Sequence, residues 1–401
     1  MTISATSYPV LRQISVRAAV DMLLQEGPTS RATLAKKTGL SKQTMSEVIR
    51  ILEEDGWVQI KGVETGRVGR SAVTYEFNGE RGFAAGIEIG SGLIRVALVD
   101  VTGRVRVERE QAVNGDGAAL VAKAGAMVTG LLGEEGIPGD RLLLATVAMP
   151  GAVEPSTGRL RLAPDMDPSE SLDVAGSLQA VLGCEVSVEN DINAAMLGEA
   201  WRGCAAGVET SAFLSLGEGV GLGLMAGGVL IRGARGAAGE LAYLPFGGNP
   251  DAPEGLERGA LECVLGSRGI IERYDRLTGG ASGFQAADIL QRAHQADEAA
   301  AEVLRETARL AALALVSIDA MFDPEQIVLG GTSGLVLGLL EEVQAILPSF
   351  TRRAIRLERS QLELRAPLVG AVAIALNLMH NRLFSPQDIP SQLRLPPVQA
   401  T

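Results

Sequence analysis

The chain is poor in the residues that carry most metal and redox chemistry. Its 401 residues include two histidines and three cysteines. Cys184, Cys204 and Cys263 lie far apart and form no CxxC pair. That spacing excludes a disulfide framework and argues against a zinc site; free buried thiols in a reducing cytoplasm are expected. Aromatic residues make up only 3% of the chain, so Ala, Gly, Val and Leu must do most of the packing, as in α/β proteins. No apolar run reaches the 18 residues a membrane helix needs, and the start of the chain lacks the charged and apolar regions of a signal peptide. The expectation is a cytoplasmic protein with no membrane contact. Positive charge is also scarce. A net charge of −12 excludes a general nucleic-acid binder, but the deficit is uneven. Residues 1–80 hold ten Lys/Arg against nine Asp/Glu, whereas the rest hold 26 against 39. A mildly basic head precedes an acidic body.

The head contains the densest signal, SRATLAKKTGLSKQTMSEVIRILEED from Ser30 to Asp55. Ser30 is a good N-cap for a helix over Arg31–Thr38, Gly39 permits a sharp turn, and Ser41 caps a second helix. Leu34, Ala35, Leu40, Met45, Val48 and Leu52 fall where two steeply crossing helices bury them. That is the pattern of a DNA-binding helix-turn-helix. A helix over Leu11–Gln25, with Ile14, Ala18, Met22 and Leu23 on one side, is expected to pack beneath it. Trp57–Ile60 and Ser71–Phe77 read as strands around a Gly/Arg loop, which makes a wing. The second helix would present Lys42, Gln43, Thr44 and Ser46 to the major groove, with Gln43 suited to an adenine edge and Lys42 to guanine or phosphate. Arg31, Lys36, Lys37 and Arg50 fit phosphates or a solvated face equally well. Arg67 and Arg70 in the wing loop suit a narrow A·T-rich minor groove.

A different regime starts at Phe83. Ala84–Ile89, Leu93–Asp100 and Val105–Ala112 read as three strands, followed by a helix over Leu120–Leu132 and a strand over Leu142–Ala148. A strand over Val186–Glu189 leads into a helix over Ile192–Trp201. The plan starts again with a strand at Phe213–Leu216, a Gly-dense stretch over 217–239, and a strand over Met225–Ile231. Mostly helical sequence follows over Ala286–Phe322, then a short strand at Ile327–Leu329 and an apolar helix over 369–380. Two similar lobes are predicted, the layout of a two-lobed actin-like, sugar-kinase-like (ribonuclease H-like) fold. The expected domains are a winged helix-turn-helix over 1–80, a first lobe over 81–204 completed by a C-terminal helix over 369–384, a second lobe over 205–368, and a Pro/Gln-rich mobile tail over 385–401.

Several motifs can carry chemistry. Glu189-Asn-Asp-Ile-Asn-Ala-Ala puts a carboxylate and amides at a strand's C-terminal end, where α/β sheets bind ligands. On spacing alone, Asn190 and Asp191 are equally well read as a helix cap. Gly217, Gly219, Gly221 and Gly223 imitate a dinucleotide fingerprint, but strand rather than helix follows, so no phosphate-binding helix N-terminus is expected there. Taken together and in order, Gly86-Ile-Glu-Ile-Gly90, Met149-Pro-Gly151, the Asn190-Asp191 segment, LGEGVGLG over 216–223, Gly236-Ala-Ala-Gly-Glu-Leu241, Gly259-Ala-Leu-Glu262 and Ile327-Val-Leu-Gly-Gly331 resemble the ROK family of repressors, open reading frames and sugar kinases. With the winged head included, the resemblance covers roughly 11–380 and points to the repressor branch.

The resemblance implies a sugar site in the interlobe cleft. Asn190, Asp191, Glu240 and Glu262 match the family's sugar ligands, and Asp191 stands where the kinases hold their catalytic base. Gly151, Tyr243 and Asp165 complete the expected effector set. Tyr243 replaces the family's histidine and Asp165 an asparagine, and the family's zinc cysteines are missing from 247–259. No metal and no cofactor are therefore expected. The kinase phosphate loops also depart from the family pattern. Glu88-Ile-Gly90-Ser91-Gly92 replaces an Asp-x-Gly-Gly-Thr, and Gly217-Glu218-Gly219 replaces a Gly-Thr-Gly. A carboxylate about 4 Å from a phosphate oxygen costs on the order of 4 kcal/mol at an effective dielectric of about 20, and phosphoryl transfer needs the opposite charge. The expected protein is a non-enzymatic regulator of carbohydrate genes, a repressor. Its partners would be operator DNA, as an inverted repeat with A/T-rich flanks, and a sugar or sugar phosphate. It would act as a homodimer or homotetramer. The alternatives are an active ATP-dependent sugar kinase with a DNA-binding head and a regulator controlled by a protein partner.

Overall fold

The computed structural model describes residues 10–65, 71–90, 92–115, 117–153, 160–161 and 172–385. Arg67, Arg70, Asp165 and the tail beyond Ser385 lie outside the described residues. The chain divides into two compact units. The first holds the residues up to Ala148, with Leu172–Val188 and the chain from Ala371 on. The second holds Glu189–Gly370 with the described part of Met149–Ser171.

The first unit opens with the head: α1 (Val10–Glu26), β1 (Thr29–Ser30), α2 (Arg31–Thr38), α3 (Lys42–Glu54), β2 (Val58–Thr65) and β3 (Ser71–Phe77). Both expected caps form. Ser30 Oγ accepts from the Thr33 N–H and Ser41 Oγ from the Thr44 N–H, each worth about 1 kcal/mol. Gly39 takes φ +74°, a conformation that disfavours any side chain. Leu34, Ala35, Met45, Val48 and Leu52 are buried, while Leu40 is half-buried. The buried face of α1 differs from the expected one. Ala19, Val20, Leu23 and Leu24 face inward, and Ile14 is exposed. Two apolar pairs one turn apart outweigh the longer stripe. β1 is too short to show a sequence period. It pairs with β3 through Thr29 and Tyr75, giving a sheet in the order β1-β3-β2.

The body of this unit follows: β4 (Phe83–Gly90), β5 (Leu93–Asp100), β6 (Val105–Ala112), α4 (Gly117–Glu134), β7 (Leu142–Met149), α5 (Val174–Leu182) and β10 (Glu185–Asn190), with Met149, Glu189 and Asn190 at the strand ends counted in the second unit; the small ladder β8 (Ala152–Val153) and β9 (Leu160–Arg161), between β7 and α5 in the chain, belongs to the second unit. The sheet order is β10-β7-β4-β5-β6. β4, β5 and β6 run antiparallel in sequence and β7 joins β4 in parallel.

The second unit contains α6 (Asp191–Arg202), β11 (Ser211–Leu216), β12 (Val220–Ala226), β13 (Val229–Leu230), α7 (Pro253–Arg258), α8 (Glu262–Leu265), α9 (Ser267–Thr278), α10 (Ala286–Arg292), α11 (Glu298–Phe322), β14 (Gln326–Gly330), α12 (Gly331–Gly334), α13 (Leu339–Ile346) and β15 (Leu357–Arg359). Its sheet order, β13-β12-β11-β14-β15, repeats the plan of the first: three meandering strands, with the first of them joined in parallel to a fourth. This is the duplicated layout expected from the repeated sequence pattern. A core of Leu214, Leu222, Leu261, Ile289, Leu304 and Leu315 fills one face.

One expected strand is displaced. The glycine run itself forms β12, and Met225–Ile231 turns at Gly227-Gly228 into the short β13. The cause is packing. A Cβ on Gly221 would stand 2.6 Å from Ile192, and one on Gly223 would stand 2.8 Å from the Ile192 carbonyl oxygen. These glycines are strand residues that let α6 approach the sheet.

The last helix, α14 (Ala366–Phe384), belongs to the first unit from Ala371 onward. There it meets the head. Phe384 stands edge-on to Trp57 and Phe77, with ring centroids 5.3 and 5.8 Å apart. Arg17 of α1 donates to Asn381 at 2.7 Å and to Ser385 at 2.8 Å. His380 is buried, and its Nε2–H donates to the Val101 carbonyl at 2.7 Å.

Candidate functional site

The exposed side of α3 is the candidate DNA-reading face. Met45, Val48, Ile49 and Leu52 point inward, which turns Lys42, Gln43, Ser46 and Arg50 to solvent. Thr44 is occupied differently. Its N–H donates to Ser41 Oγ, and its hydroxyl shares a 2.8 Å hydrogen bond with the same oxygen. Its place is the cap. Arg50 is held by carboxylates on its own helix: Nη2 lies 2.8 Å and Nε 3.2 Å from Glu47, and Nη1 reaches Glu54. Arg31 stacks 4.7 Å from the centroid of the Tyr75 ring and donates to its hydroxyl. Lys37 pairs with Glu26, and Lys36 is exposed. Arg12, Arg31, Gln43, Ser46, Glu47 and Arg50 line a concavity of about 530 Å³ together with Glu53. Sequence reasoning overlooked Arg12 and Glu47. Glu47 could have been found, because it stands one helical turn after Gln43.

The second candidate site surrounds the start of α6. Asn190 is its N-cap, with Oδ1 accepting from the Ile192 and Asn193 N–H groups at 2.9 Å. Its Nδ2 donates to the Gly151 carbonyl at 3.0 Å and to Asp191 Oδ1 at 3.2 Å. Asp191 Oδ1 accepts from Asn190 Nδ2 and, at 2.9 Å, from the Ile192 N–H. Burial pushes the Asp191 carboxyl up to about 6, against the pull of backbone N–H groups. Glu189 is buried and well compensated. It accepts from the Asn190 N–H and from Asn193 Nδ2, and Arg232 pairs with it at 2.6 Å. Arg232 gave no sequence signal, since 43 residues separate it from its partner.

Glu240, Tyr243 and Glu262 form a neighbouring acidic group. Glu262 Oε2 accepts from the Val220 N–H at 3.1 Å, and Arg258 lies 3.7 Å from its other oxygen. Burial raises both carboxyls, and the charge of Glu262 adds to the effect on Glu240. Tyr243 is half exposed, and its hydroxyl donates to the Glu257 carbonyl at 2.9 Å. Its phenol is raised by burial and then by Glu240, Glu262 and Glu257. Both groups border β12: Val220 holds Glu262, and Gly221 abuts Ile192, the residue after Asp191. The loop before β12 is pinned. The Gly217 carbonyl accepts from the N–H and hydroxyl of Ser267 at the start of α9, and Glu218 at the loop's tip is exposed. In the first unit, Glu88 pairs with Arg95 at 3.2 Å.

The ROK family profile matches residues 84–377. The chain belongs to the ROK family. A MarR family profile matches residues 18–60, which cover most of α1 and all of α2 and α3. The xylose repressor of Caldicellulosiruptor bescii is 24% identical over 393 residues, spanning 93% of this ROK chain and 98% of that protein. A glucokinase of Thermotoga maritima is 25% identical over 309 residues, spanning 72% of this chain and 96% of the kinase. Among solved structures, a ROK family transcriptional regulator described as a homologue of the E. coli MLC protein superposes with a TM-score of 0.76 at 22% identity. It covers 94% of this chain and 97% of its own, and shares the fold. No described helix is long and apolar enough to cross a membrane.

Proposed function

We propose that this ROK protein is a DNA-binding repressor of carbohydrate-metabolism genes, released by a sugar bound around Asn190, Asp191, Glu240 and Glu262. The observation that carries the reading is the joining, in one chain, of a doubly capped helix-turn-helix to a ROK body that keeps the Asn190–Asp191 pair at the start of α6. Carboxylates and amides suit a polyol, whose hydroxyls each offer a donor and an acceptor. Asp191, Glu240 and Glu262 repel phosphate, and Arg232 and Arg258 are already paired with Glu189 and Glu262. A neutral sugar or sugar derivative therefore fits better than a phosphorylated one. Gly151 and Tyr243 flank the ligand, and Asp165 is proposed to complete the set. On the DNA side Gln43 reads a base edge, Lys42 and Ser46 support it, Thr44 fixes the helix start, and Arg50 with the wing arginines Arg67 and Arg70 contacts the backbone or minor groove. A homodimer or homotetramer on an inverted repeat supplies the specificity that one head lacks.

One observation favours a second reading. Glu218 is exposed, and a carboxylate turned to solvent would leave ATP room, as in an active sugar kinase with a DNA-binding head. Two measurements separate the readings. ADP release over a panel of sugars is expected to stay at background. Gln43→Ala is expected to weaken operator binding about ten-fold or more while hardly changing binding to random DNA. Clear turnover, or an equal loss on both DNAs, would contradict the proposal.

A further inference from the structure

We propose that Glu47 is a base-selecting residue of the DNA-reading face, admitting cytosine at one operator position. The inference rests on the reading of the head as a DNA binder. Gln43, Glu47, Arg50 and Glu54 follow one another at i, i+4, i+7 and i+11 along α3, directly opposite the buried line of Met45, Val48, Ile49 and Leu52. The N-terminal part of such a helix reads the bases, and Glu47 lies there, one turn beyond Gln43. It also lines the same concavity as Gln43 and Ser46.

An anion on this face needs an account, because it approaches a polyanion. Glu47 is held from two sides. Arg50 grips both its oxygens, at 2.8 and 3.2 Å, and Arg12 of α1 lies 3.8 Å away. The Arg50 hydrogen bonds hold its carboxyl below the usual carboxylate range, so it is ionised and can only accept. In the major groove the bases offer two donors, the exocyclic amines of cytosine and adenine. Adenine sets its amine beside the N7 acceptor, which suits an amide such as Gln43. Cytosine offers the amine alone, which suits a carboxylate. Guanine and thymine present acceptors, which Glu47 repels. The residue thus selects largely by excluding wrong bases. On docking, Arg12 and Arg50 move to flanking phosphates, and the cytosine amine replaces them on the carboxylate.

The test is selection from a random-sequence duplex library with the full-length chain, its Glu47→Gln and Glu47→Ala variants, and Glu54→Gln as a control farther along the ridge. The parent is expected to enrich a motif with one cytosine whose replacement by another base is disfavoured about five-fold or more. Glu47→Ala should lose the preference at that position alone and bind unrelated duplex several-fold more tightly. Glu47→Gln should lose it too, or exchange cytosine for adenine, and Glu54→Gln should keep the parental motif. An unchanged motif in both Glu47 variants would overturn the inference. So would a uniform loss of preference at every position, which would mark Glu47 as a support for Arg50. If the parent enriches no motif at all, the DNA-binding reading itself fails.

Discussion

His380 and Asp191 show how burial sets charge in this molecule, and with opposite signs. Burial drives His380 down to about 4, and the nearby Arg17 adds to the effect. Folded, the ring is neutral above about pH 4, whereas in the unfolded chain it takes a proton near 6.5. Between these values the unfolded chain binds more protons, so stability falls as the pH drops from about 6.5 to about 4, by up to roughly 3 kcal/mol. Asp191 works the other way between 3.8 and about 6. There the folded carboxyl keeps a proton that the unfolded one has lost, so its contribution declines as the pH rises. His380→Gln keeps a donor for the Val101 carbonyl and removes the titration. Compared at each pH, the parent's Tm is expected to fall relative to that of the variant as acid is added from pH 6.5 to 4. Parallel profiles would contradict the assignment.

At the scale of elements, the part of α14 from Ala371 on fastens the head to its unit. Phe384 is only 2% exposed and meets Trp57 and Phe77 edge-on. Phe384→Ala is expected to cost about 3 kcal/mol or more and to speed amide exchange over Trp57–Phe77. A loss below about 1 kcal/mol would show that the head is held elsewhere. In the second unit, Gly198 of α6 and Gly370 of α14 make the helix crossing possible, since a Cβ on Gly370 would stand 1.7 Å from the Ala194 carbonyl oxygen. The helices, the caps and the doubled strand plan were legible because each rests on local period or local chemistry: Ser30 and Ser41 before apolar repeats, alternation in Leu93–Asp100, the continuous run of Leu142–Ala148. Long-range packing was not legible. Nothing local marks Gly221 and Gly223 as strand residues until Ile192 is set against them. Asn190 and Asp191 could be located at the start of a helix, but the cap role of Asn190 depends on hydrogen bonds to Gly151, Ile192 and Asn193 that only the fold brings together.

For the whole molecule, the proposed function couples a DNA-reading head to a ROK body that binds a sugar. A sugar can release the operator only by binding the DNA-free conformation more tightly than the DNA-bound one. A coupling of 1–3 kcal/mol, about 5- to 150-fold in affinity, is the usual size. The most direct measurement is the affinity of the chain for its selected operator, read by fluorescence anisotropy, with and without each member of a panel of neutral sugars and sugar phosphates, for the parent and for Asp191→Ala. The account predicts that a neutral sugar weakens the parent's operator binding at least five-fold. It also predicts that Asp191→Ala binds the operator as the parent does and fails to respond. Release of Asp191→Ala by the same sugar at the same concentration would reduce Asp191 to a helix-start residue and contradict the account.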